Sequence, residues 1–261
     1  TNLYGSRRRL CELIDAPLDG FCKTWSGIIN SSQSLATEPT RLVDAAPDRV
    51  EGKLGDLPLI TYHEKDAGPY FTSAIFLAKD PDSGVPNLSF HRSMYVSDDE
   101  LRIRLGSSHD MAKYQLRAEE KGEAMEVALL TGVDPEIFLA ACTSLPKDSS
   151  EMKLASAIKG EPIDTFKCAT IDLEVPATTE IVVEGRILPN ELRKEGPFGE
   201  FLGYYVPEGE NHVFEISKVS WLKDAQFHSL LCGSAEDLSP LEAVTATRTY
   251  QHLINASIPG I

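Results

Sequence analysis

The sequence has few cysteines, and no two of its five cysteines form a CxxC pair. A disulfide framework or a zinc site requires an even or closely paired set. An odd, widely spaced set is typical of reduced thiols in the cytoplasm. We therefore predict a cytoplasmic protein without structural disulfides. The cysteines are Cys11, Cys22, Cys142, Cys168 and Cys232.

Long apolar runs and basic clusters are also missing. No stretch approaches the roughly 20 apolar residues of a transmembrane helix, and the N-terminal TNLYGSRRRLCELID lacks an apolar signal-peptide core. The only basic run is Arg7–Arg9, in a chain of net charge −15. We predict no membrane partner and no nucleic-acid partner, because clustered Lys and Arg are what hold a phosphate backbone. So acidic a chain needs a metal or a local cluster of donors to bind a phosphorylated ligand.

The pattern of apolar and turn-forming residues predicts an α+β fold that is mainly β. Short segments rich in β-branched and aromatic residues alternate with Gly, Pro and Asp clusters, which is typical of strands. Few helices lie between them, which favours an antiparallel barrel over a parallel sheet wound on both faces. Residues 27–56 are predicted to be loop with one short helix. The predicted strands are 57–62, 70–77, 88–96, 101–105, 125–130, 164–173, 180–188, 201–206, 213–221 and 227–231, and the predicted helices are 108–121, 134–146, 149–158 and 240–255.

Two carboxylates bracket a Gly-Pro-Phe-Gly turn between Glu195 and Glu200. Glycines at such a turn let the backbone pass close to a ligand. One interpretation is a β-turn with solvated acids, since Gly and Pro commonly mark turns. The other is a pair of carboxylates at one site, one of which donates or accepts a proton. The motif alone does not decide between them.

A second informative segment is Asn87-Leu-Ser-Phe-His-Arg92. In a regular strand Asn87, Ser89 and His91 face one side, and Leu88, Phe90 and Arg92 face the other. An arginine on the apolar side is partly buried and needs an anionic partner. The alternative is an arginine whose charged end extends back to solvent.

These segments together resemble the UbiD-like family of reversible decarboxylases, which includes the ferulic acid decarboxylases. The resemblance rests on NxSxxR at residues 87–92, followed by EGPFGE at 195–200. The pattern KCxTxDLxVPATxEIVxEG at 167–185, the segment GPYFT at 68–72 and GVDP at 132–135 also fit the family. The motifs occur in register along essentially the whole chain, so their joint occurrence is specific.

The resemblance implies a catalytic set of Arg92, Glu195 and Glu200. It assigns Arg92, paired with Glu195, to the substrate carboxylate, and Glu200 to the proton transfer that follows loss of carbon dioxide. Decarboxylation leaves electrons on carbon, and no side chain here supplies an electron sink. In the family prenylated FMN supplies it, through a covalent adduct with the substrate. The implied cofactor contacts are Ser89, Phe90, His91, Arg92, Ser144 and Leu145.

The resemblance also implies a divalent metal that binds the cofactor phosphate through Asn87, His109 and Glu151. Mixed oxygen and nitrogen ligands suit Mn²⁺ or Mg²⁺ better than zinc. For His109 alone, a histidine at a helix N-terminus without metal is the simpler interpretation. The family further implies a potassium ion on main-chain oxygens around Ser144, Leu145 and Glu151.

For the chain as a whole, the resemblance implies a split antiparallel β-barrel of the flavin-reductase type with flanking helices. We expect an N-terminal helix and loop segment at 1–56, the prenylated-FMN-binding barrel at 57–235, and a linker helix at 236–261 that leads to a further C-terminal domain. The expected partners are a small carboxylic acid, a flavin prenyltransferase as source of the cofactor, and further copies of the full-length protein in a homo-oligomer.

Two other functions stay open from the sequence. An ordinary FMN-binding split barrel would carry out redox chemistry or storage, and a fold alone does not decide a function. A non-catalytic scaffold or subunit would carry a vestigial site. The flavin barrel predicts no use for Arg92, Glu195 and Glu200 as a set, and the retention of all six site residues speaks against a vestigial site. Aromatic, heteroaromatic and α,β-unsaturated acids are equally compatible as substrates, in either direction of the reaction.

Overall fold

The structure is a computed structural model that describes residues 3–35, 38–44, 46–146 and 149–257. The helices in these ranges are α1 (Arg7–Leu13), α2 (Phe21–Gln33), α3 (Asp110–Lys121), α4 (Pro135–Ala141), α5 (Glu151–Lys159) and α6 (Ala235–Asn255). The strands are β1 (Thr40–Leu42), β2 (Arg49–Gly52), β3 (Tyr70–Phe71), β4 (Ile75–Lys79), β5 (Pro86–Phe90), β6 (Ser93–Ser97), β7 (Glu100–Ile103), β8 (Met125–Thr131), β9 (Ile163–Lys167), β10 (Glu174–Pro176), β11 (Ile181–Glu195), β12 (Phe198–Gly199), β13 (Tyr205–Val206) and β14 (Gly209–Leu222).

One large antiparallel sheet dominates the fold. Its strands follow the order β3-β6-β7-β14-β11-β8-β4-β5, and β2 pairs with β14. Two smaller sheets accompany it, β1-β9-β10 and β12-β13, and β1 with β9 is a parallel pair. The mainly β, antiparallel α+β architecture confirms the predicted fold class at this level.

The central strands carry apolar side chains on both faces of the sheet. Successive side chains of a strand point to opposite faces, and neighbouring residues of β11 belong to two different core clusters. In β11, Val182 belongs to a core cluster that also contains Trp25 and Phe138. Its neighbour Val183 belongs to a second cluster with Phe214, on the opposite face. Helices α2 and α4 therefore cover the first face. The second face closes over residues of the sheet itself and of α3.

Two predicted strands are wrong. Residues 57–62 form a loop after a 3₁₀ turn at Leu54–Asp56, and their only ladder contact in the described chain is a single bridge from Ile60 to Tyr70. Residues 227–231 also lie outside the sheets, held by hydrogen bonds from Ser73 Oγ to the His228 carbonyl and from the Leu230 amide to Thr72 Oγ1. Side-chain hydrogen bonds replace the backbone ladder in this second segment.

Several other boundaries also differ from the predictions. The predicted strand 70–77 is divided between β3 and β4, only Tyr205–Val206 of the predicted strand 201–206 is a strand, strand 164–173 ends at Lys167, and helix 134–146 ends at Ala141. The segment predicted as one strand at 88–96 is two strands, interrupted at His91 and Arg92. Helix α2 extends into the predicted loop after residue 27, because its buried Phe21 and Trp25 anchor it to the core. Helix α6 begins at Ala235, ahead of Pro240. In the described residues no helix combines the length and apolarity needed to cross a bilayer.

Candidate active site

The interruption between β5 and β6 places Arg92 opposite the end of β11, where Glu195 lies. The chain then turns at Gly196, whose φ of +86° is a left-handed conformation that favours glycine. Glu200 directly follows β12 and also contacts Arg92. Asp66 Oδ1 accepts a hydrogen bond of 2.8 Å from the Gly199 amide and so ties this turn to the loop before β3.

Arg92, Glu195 and Glu200 come together in one ion-pair cluster. Arg92 donates from Nε to Glu195 Oε1 at 3.2 Å and from Nη2 to Glu195 Oε2 at 2.8 Å, which is a bidentate pair. Its Nη1 atom contacts Glu200 Oε1. The Glu195 side chain is fully buried, that of Arg92 is 10% exposed and that of Glu200 is 22% exposed. Of the two carboxylates, Glu200 is therefore the one open to a ligand.

Two residues that the sequence interpretation did not select complete the surroundings of Glu195. Tyr70 Oη donates to Glu195 Oε1 at 2.8 Å, and Asn211 Nδ2 donates to Oε2 at 2.9 Å. Tyr70 lies in the GPYFT segment, which had signalled only family membership. Asn211 lies in β14 next to His212 and carries no local signal, since its role depends on the pairing of β14 with β11.

The electrostatics of this cluster favour a charged arginine. Burial by itself disfavours the charged guanidinium, but the hydrogen bonds and charge of Glu195, together with the charge of Glu200, outweigh it and raise the pKa of Arg92. Burial, then the charge of Glu195, raises the pKa of the Tyr70 phenol well above its usual range, so that Tyr70 acts only as a neutral donor. The guanidinium also lies over the Phe198 ring, 4.9 Å from its centroid.

The residues expected to bind metal line a neighbouring cavity of about 420 Å³. Asn87 Nδ2 lies 3.4 Å from Glu151 Oε1, and Glu151 Oε2 accepts a hydrogen bond of 3.0 Å from the Leu88 amide. His109 is the N-cap residue of α3 and lines the same cavity, without a hydrogen bond to the other two in the described chain. The structure thus places all three side chains at one cavity.

Glu151 is a buried carboxylate that suits a cation. It is 4% exposed, and burial, with a smaller contribution from Asp110, raises its pKa to about 7. Among the described residues it forms no ion pair with Lys, Arg or His. Within those residues no group of three His, Cys, Asp or Glu side chains forms a metal-type cluster. The present set has only two such side chains, because its third member is the amide of Asn87.

The expected cofactor contacts divide into two groups. Ser89, Phe90, Ser144 and Leu145 line the same cavity as the metal set, whereas His91 and Arg92 do not line it. His91 is 3% exposed, and its ring nitrogens lie 2.8 Å from Ser89 Oγ and 3.2 Å from the Arg104 carbonyl oxygen. Burial, then the charge of His109, lowers the pKa of His91 to about 3. His91 is therefore a neutral residue that orients Ser89.

A family model described as the 3-octaprenyl-4-hydroxybenzoate carboxy-lyase Rift-related domain, UbiD, matches residues 39–235. The chain belongs to the UbiD family. The resemblance drawn from the motifs is therefore confirmed, and the family match includes the whole Arg92, Glu195 and Glu200 cluster.

Curated relatives and solved structures also match this UbiD-family chain over 68% or more of its length. Anhydromevalonate phosphate decarboxylase of Methanothermobacter thermautotrophicus is 38% identical over 178 residues, which are 68% of this chain and 42% of the relative. The enzyme of the same name from Methanosarcina mazei is 32% identical and covers 96% of this chain and 58% of its own length. The chain spans about half the length of the curated relatives it matches.

A similar solved structure is an evolved dimeric form of the UbiD-class enzyme HmfF from Pelotomaculum thermopropionicum in complex with prFMN. It is 34% identical, superposes with a TM-score of 0.89, and the match covers 96% of this chain and 59% of that protein. The backbone described above is thus the fold of a UbiD-class enzyme over nearly the whole chain.

Proposed function

We propose that this UbiD-family chain is the cofactor-binding core of a reversible, non-oxidative decarboxylase. Its substrate is an aromatic or α,β-unsaturated carboxylic acid. The observation that carries the proposal is the cluster in which a largely buried Arg92 is shared between the enclosed Glu195 and the more open Glu200. A plain flavin barrel has no use for an arginine arranged in this way.

The side chains divide the reaction between them. Glu195 holds the Nε and Nη2 edge of the Arg92 guanidinium, and the carboxylate of the substrate approaches the Nη1 side, where Arg92 contacts Glu200. Guanidinium and carboxylate groups match in geometry, so Arg92 binds and orients the acid. Once carbon dioxide has left, Glu200 delivers a proton to the substrate carbon as a general acid, and it accepts that proton in the reverse direction.

The cofactor we propose is prenylated FMN, held at the cavity that Ser89, Phe90, Ser144 and Leu145 line. A volume of about 420 Å³ lies within the range of known small-molecule sites, roughly 300–1,000 Å³. When bound, this group supplies the electron sink, through covalent attachment of the substrate. The prFMN complex of the similar HmfF structure supports the choice.

We further propose that Asn87, His109 and Glu151 hold Mn²⁺ or Mg²⁺ against the cofactor phosphate. Carboxylate, amide and imidazole donors suit these ions. The buried Glu151 carboxylate, which lacks a basic partner in the described part of the chain, fits a cation. The same ion would balance the phosphate in a protein of net charge −15. A potassium ion at the main-chain oxygens around Ser144, Leu145 and Glu151 belongs to the same proposal.

Further parts of the proposal concern the whole protein. The large sheet is part of a split barrel that residues 57–235 form. Residues 1–56 lead into this barrel and residues 236–261 lead out of it. Residues 258–261 of the last segment lie outside the described residues. The full-length protein is a cytoplasmic homo-oligomer that takes its cofactor from a flavin prenyltransferase. The dimeric form of the similar HmfF supports the homo-oligomer.

The mass and absorbance spectrum of the bound cofactor test the function. The protein is co-expressed with a flavin prenyltransferase, purified, and supplied with a panel of unsaturated and aromatic acids that includes anhydromevalonate phosphate. We expect the mass of prenylated FMN and release of carbon dioxide from at least one acid. Unmodified FMN that accepts electrons from a reduced nicotinamide, with no acid consumed, would instead identify an ordinary flavoprotein.

The metal set is tested by His109→Ala. If the ion links Asn87, His109 and Glu151 to the cofactor phosphate, the variant loses metal and flavin together. Elemental analysis and flavin absorbance of the purified protein measure both. His252→Ala is the matched control, because His252 is an exposed histidine of α6 outside the cavity. A His109→Ala protein that keeps stoichiometric flavin without metal contradicts the assignment.

A further inference from the structure

The Glu195 carboxylate accepts four hydrogen bonds, two at each oxygen. Oε1 accepts from Tyr70 Oη at 2.8 Å and Arg92 Nε at 3.2 Å, and Oε2 accepts from Arg92 Nη2 at 2.8 Å and Asn211 Nδ2 at 2.9 Å. A carboxylate offers about four lone-pair positions, two on each oxygen. All four are used here, so the carboxylate cannot rotate without breaking at least one hydrogen bond in a site closed to water.

We propose that Tyr70 and Asn211 are positioning residues for Arg92 and act on it through Glu195. Tyr70 comes from β3, Asn211 from β14 and Glu195 from the end of β11, so three strands together fix the orientation of one carboxylate. That carboxylate in turn fixes the Nε and Nη2 edge of the guanidinium. The description of the ligand as a substrate carboxylate rests on the proposed function, whereas the positioning rests on these contacts alone.

The remaining contacts of Arg92 agree with this role. Phe198 lies 4.9 Å from the guanidinium carbon and 4.4 Å from the Tyr70 ring, measured to ring centroids, and so packs against both. With one edge on Glu195 and one face on Phe198, the guanidinium presents only its Nη1 side to Glu200 and to an incoming acid. A shift of the Glu195 carboxylate would turn that side away from both.

The Tyr70 hydroxyl serves this contact and no other in the described chain. The residue is fully buried, and its ring packs on Phe198 while its hydroxyl donates to Glu195. A phenylalanine keeps the ring and removes only the donor. Asn211→Leu likewise keeps the approximate size of the side chain and removes the amide. Tyr70→Phe thus removes a donor from Oε1 of Glu195, and Asn211→Leu removes a donor from Oε2.

The first measurement follows Arg92 directly and does not depend on catalysis. The chain is labelled with ¹⁵N-arginine, and the Nε–H signal of Arg92 is identified by its loss in Arg92→Lys. In Tyr70→Phe and in Asn211→Leu we expect this signal to shift, and its hydrogen exchange to become at least about 10-fold faster, the scale of one hydrogen bond to a charged group. Tyr114→Phe, at another buried tyrosine, leaves the signal unchanged.

The second measurement is binding of 3-phenylpropionate, a saturated carboxylate, to the cofactor-loaded protein. We expect Tyr70→Phe and Asn211→Leu to weaken Kd about 10- to 100-fold, and Glu200→Gln to retain the affinity of the wild type. In steady-state assays the first two variants raise KM, whereas Glu200→Gln lowers kcat. In a Glu195→Gln background Tyr70→Phe adds no further loss, because it acts only through Glu195.

The two measurements separate this proposal from the proposed function. An Arg92 signal that is unchanged in both variants overturns the positioning role, whatever the protein catalyses. A Tyr70→Phe effect on Kd that is fully additive with Glu195→Gln overturns it as well, since Tyr70 would then act on the ligand by another route. If the wild type neither binds the probe nor consumes an acid, the proposed function fails, and the Arg92 signal still decides the positioning.

Discussion

At the scale of single residues, the active-site cluster encloses an ion pair together with its hydrogen-bond partners. Arg92 and Glu195 are largely enclosed and form a bidentate pair with two further donors. Breaking such a pair costs more than the pair contributes, because one charge is then left buried and uncompensated. Glu200 differs, because its contact with Arg92 is single and its side chain is 22% exposed. This difference in enclosure supports the proposed division between a carboxylate that holds Arg92 and one that transfers a proton.

Glu200→Gln tests the proton-transfer role. Glutamine keeps the size and the hydrogen-bonding capacity but has no proton to deliver, so turnover of the loaded holoenzyme should fall by about 10²- to 10⁴-fold. KM for the acid should change little, because Arg92 provides the attraction for the carboxylate. Turnover and incorporation of solvent deuterium at the product carbon are measured, and both should fall together.

Glu208→Gln is the control for this substitution. Glu208 lies near the same turn but is exposed and pairs with Lys194, so its loss should leave turnover unchanged. Near-normal activity in Glu200→Gln would show that another group delivers the proton.

At the scale of elements, the hairpin of β11 and β14 brings Glu195 and Asn211 to the Arg92 cluster. Ladder pairing runs from Ile181 opposite Trp221 to Glu195 opposite Gly209, with an irregularity between Glu184 and Gly185, where Ser217 is the extra residue. A bulge of this kind bends the strand and increases its twist. A second irregularity lies between Ile187 and Leu192. Together these allow one long hairpin to reach from the core to the active-site turn.

Gly185→Ala tests the first irregularity. An added Cβ would lie 2.1 Å from the Glu215 carbonyl oxygen and 2.9 Å from the Phe214 ring, so the backbone must shift. We expect a loss of about 1–3 kcal/mol in the free energy of unfolding, the usual cost of overpacking. Urea titration followed by circular dichroism measures it.

Gly209→Ala is the matched control in the same hairpin, since a Cβ there meets nothing within 4 Å. We expect a change within about 0.5 kcal/mol, as for ordinary surface substitutions. Equal stability of the two variants would mean that the close approach at Gly185 relaxes without cost.

At the scale of the whole molecule, the N-terminal segment, α4 and the irregular segment at 227–231 meet in a cluster of aromatic and histidine side chains. Tyr4 stacks on Phe138 at 3.8 Å, and His228 lies 5.8 Å from the Tyr4 ring and 5.5 Å from the Phe138 ring. Burial lowers the pKa of His228 below its ordinary 6.5, and the nearby Glu236 opposes this only in part. The packing of the N-terminal segment and α4 therefore includes a histidine that folds in its neutral form.

This histidine makes stability depend on pH. Below about pH 6.5 the unfolded chain takes up a proton at His228 more readily than the folded chain does. Protonation therefore stabilises the unfolded state, and the free energy of unfolding falls as the pH is lowered. Above that pH the full stability is present. Between pH 7.5 and 5.5 we expect the contribution of His228 to be up to about 1 kcal/mol.

Urea titrations at the two pH values measure this effect. His228→Phe should lose less stability on acidification than the wild type. His252→Phe, at an exposed position of α6, should keep the acid sensitivity of the wild type. A His228→Phe protein with the full acid sensitivity would assign the effect to other groups.

The sequence by itself was sufficient wherever the deciding information is local. The alternation in residues 87–91 predicted that Asn87, Ser89 and His91 share a face, and Ser89 Oγ indeed lies within hydrogen-bond distance of both others. The motifs at 87–92 and 195–200, read in order, identified the family. The apolar neighbours of Arg92 allowed either a buried arginine with an anionic partner or one that reaches solvent, and the structure shows the buried pair with Glu195.

The tertiary structure decided what depends on distant partners. Tyr70 and Glu195 are 125 positions apart in sequence, and Asn211 reaches Glu195 only through the register of β11 with β14, so no local pattern could select them. Segments 57–62 and 227–231 have the composition of strands yet are not strands, because strand propensity is weak and pairing depends on an available neighbouring edge. Composition and order are properties of the chain, whereas pairing and burial arise only when the chain has folded.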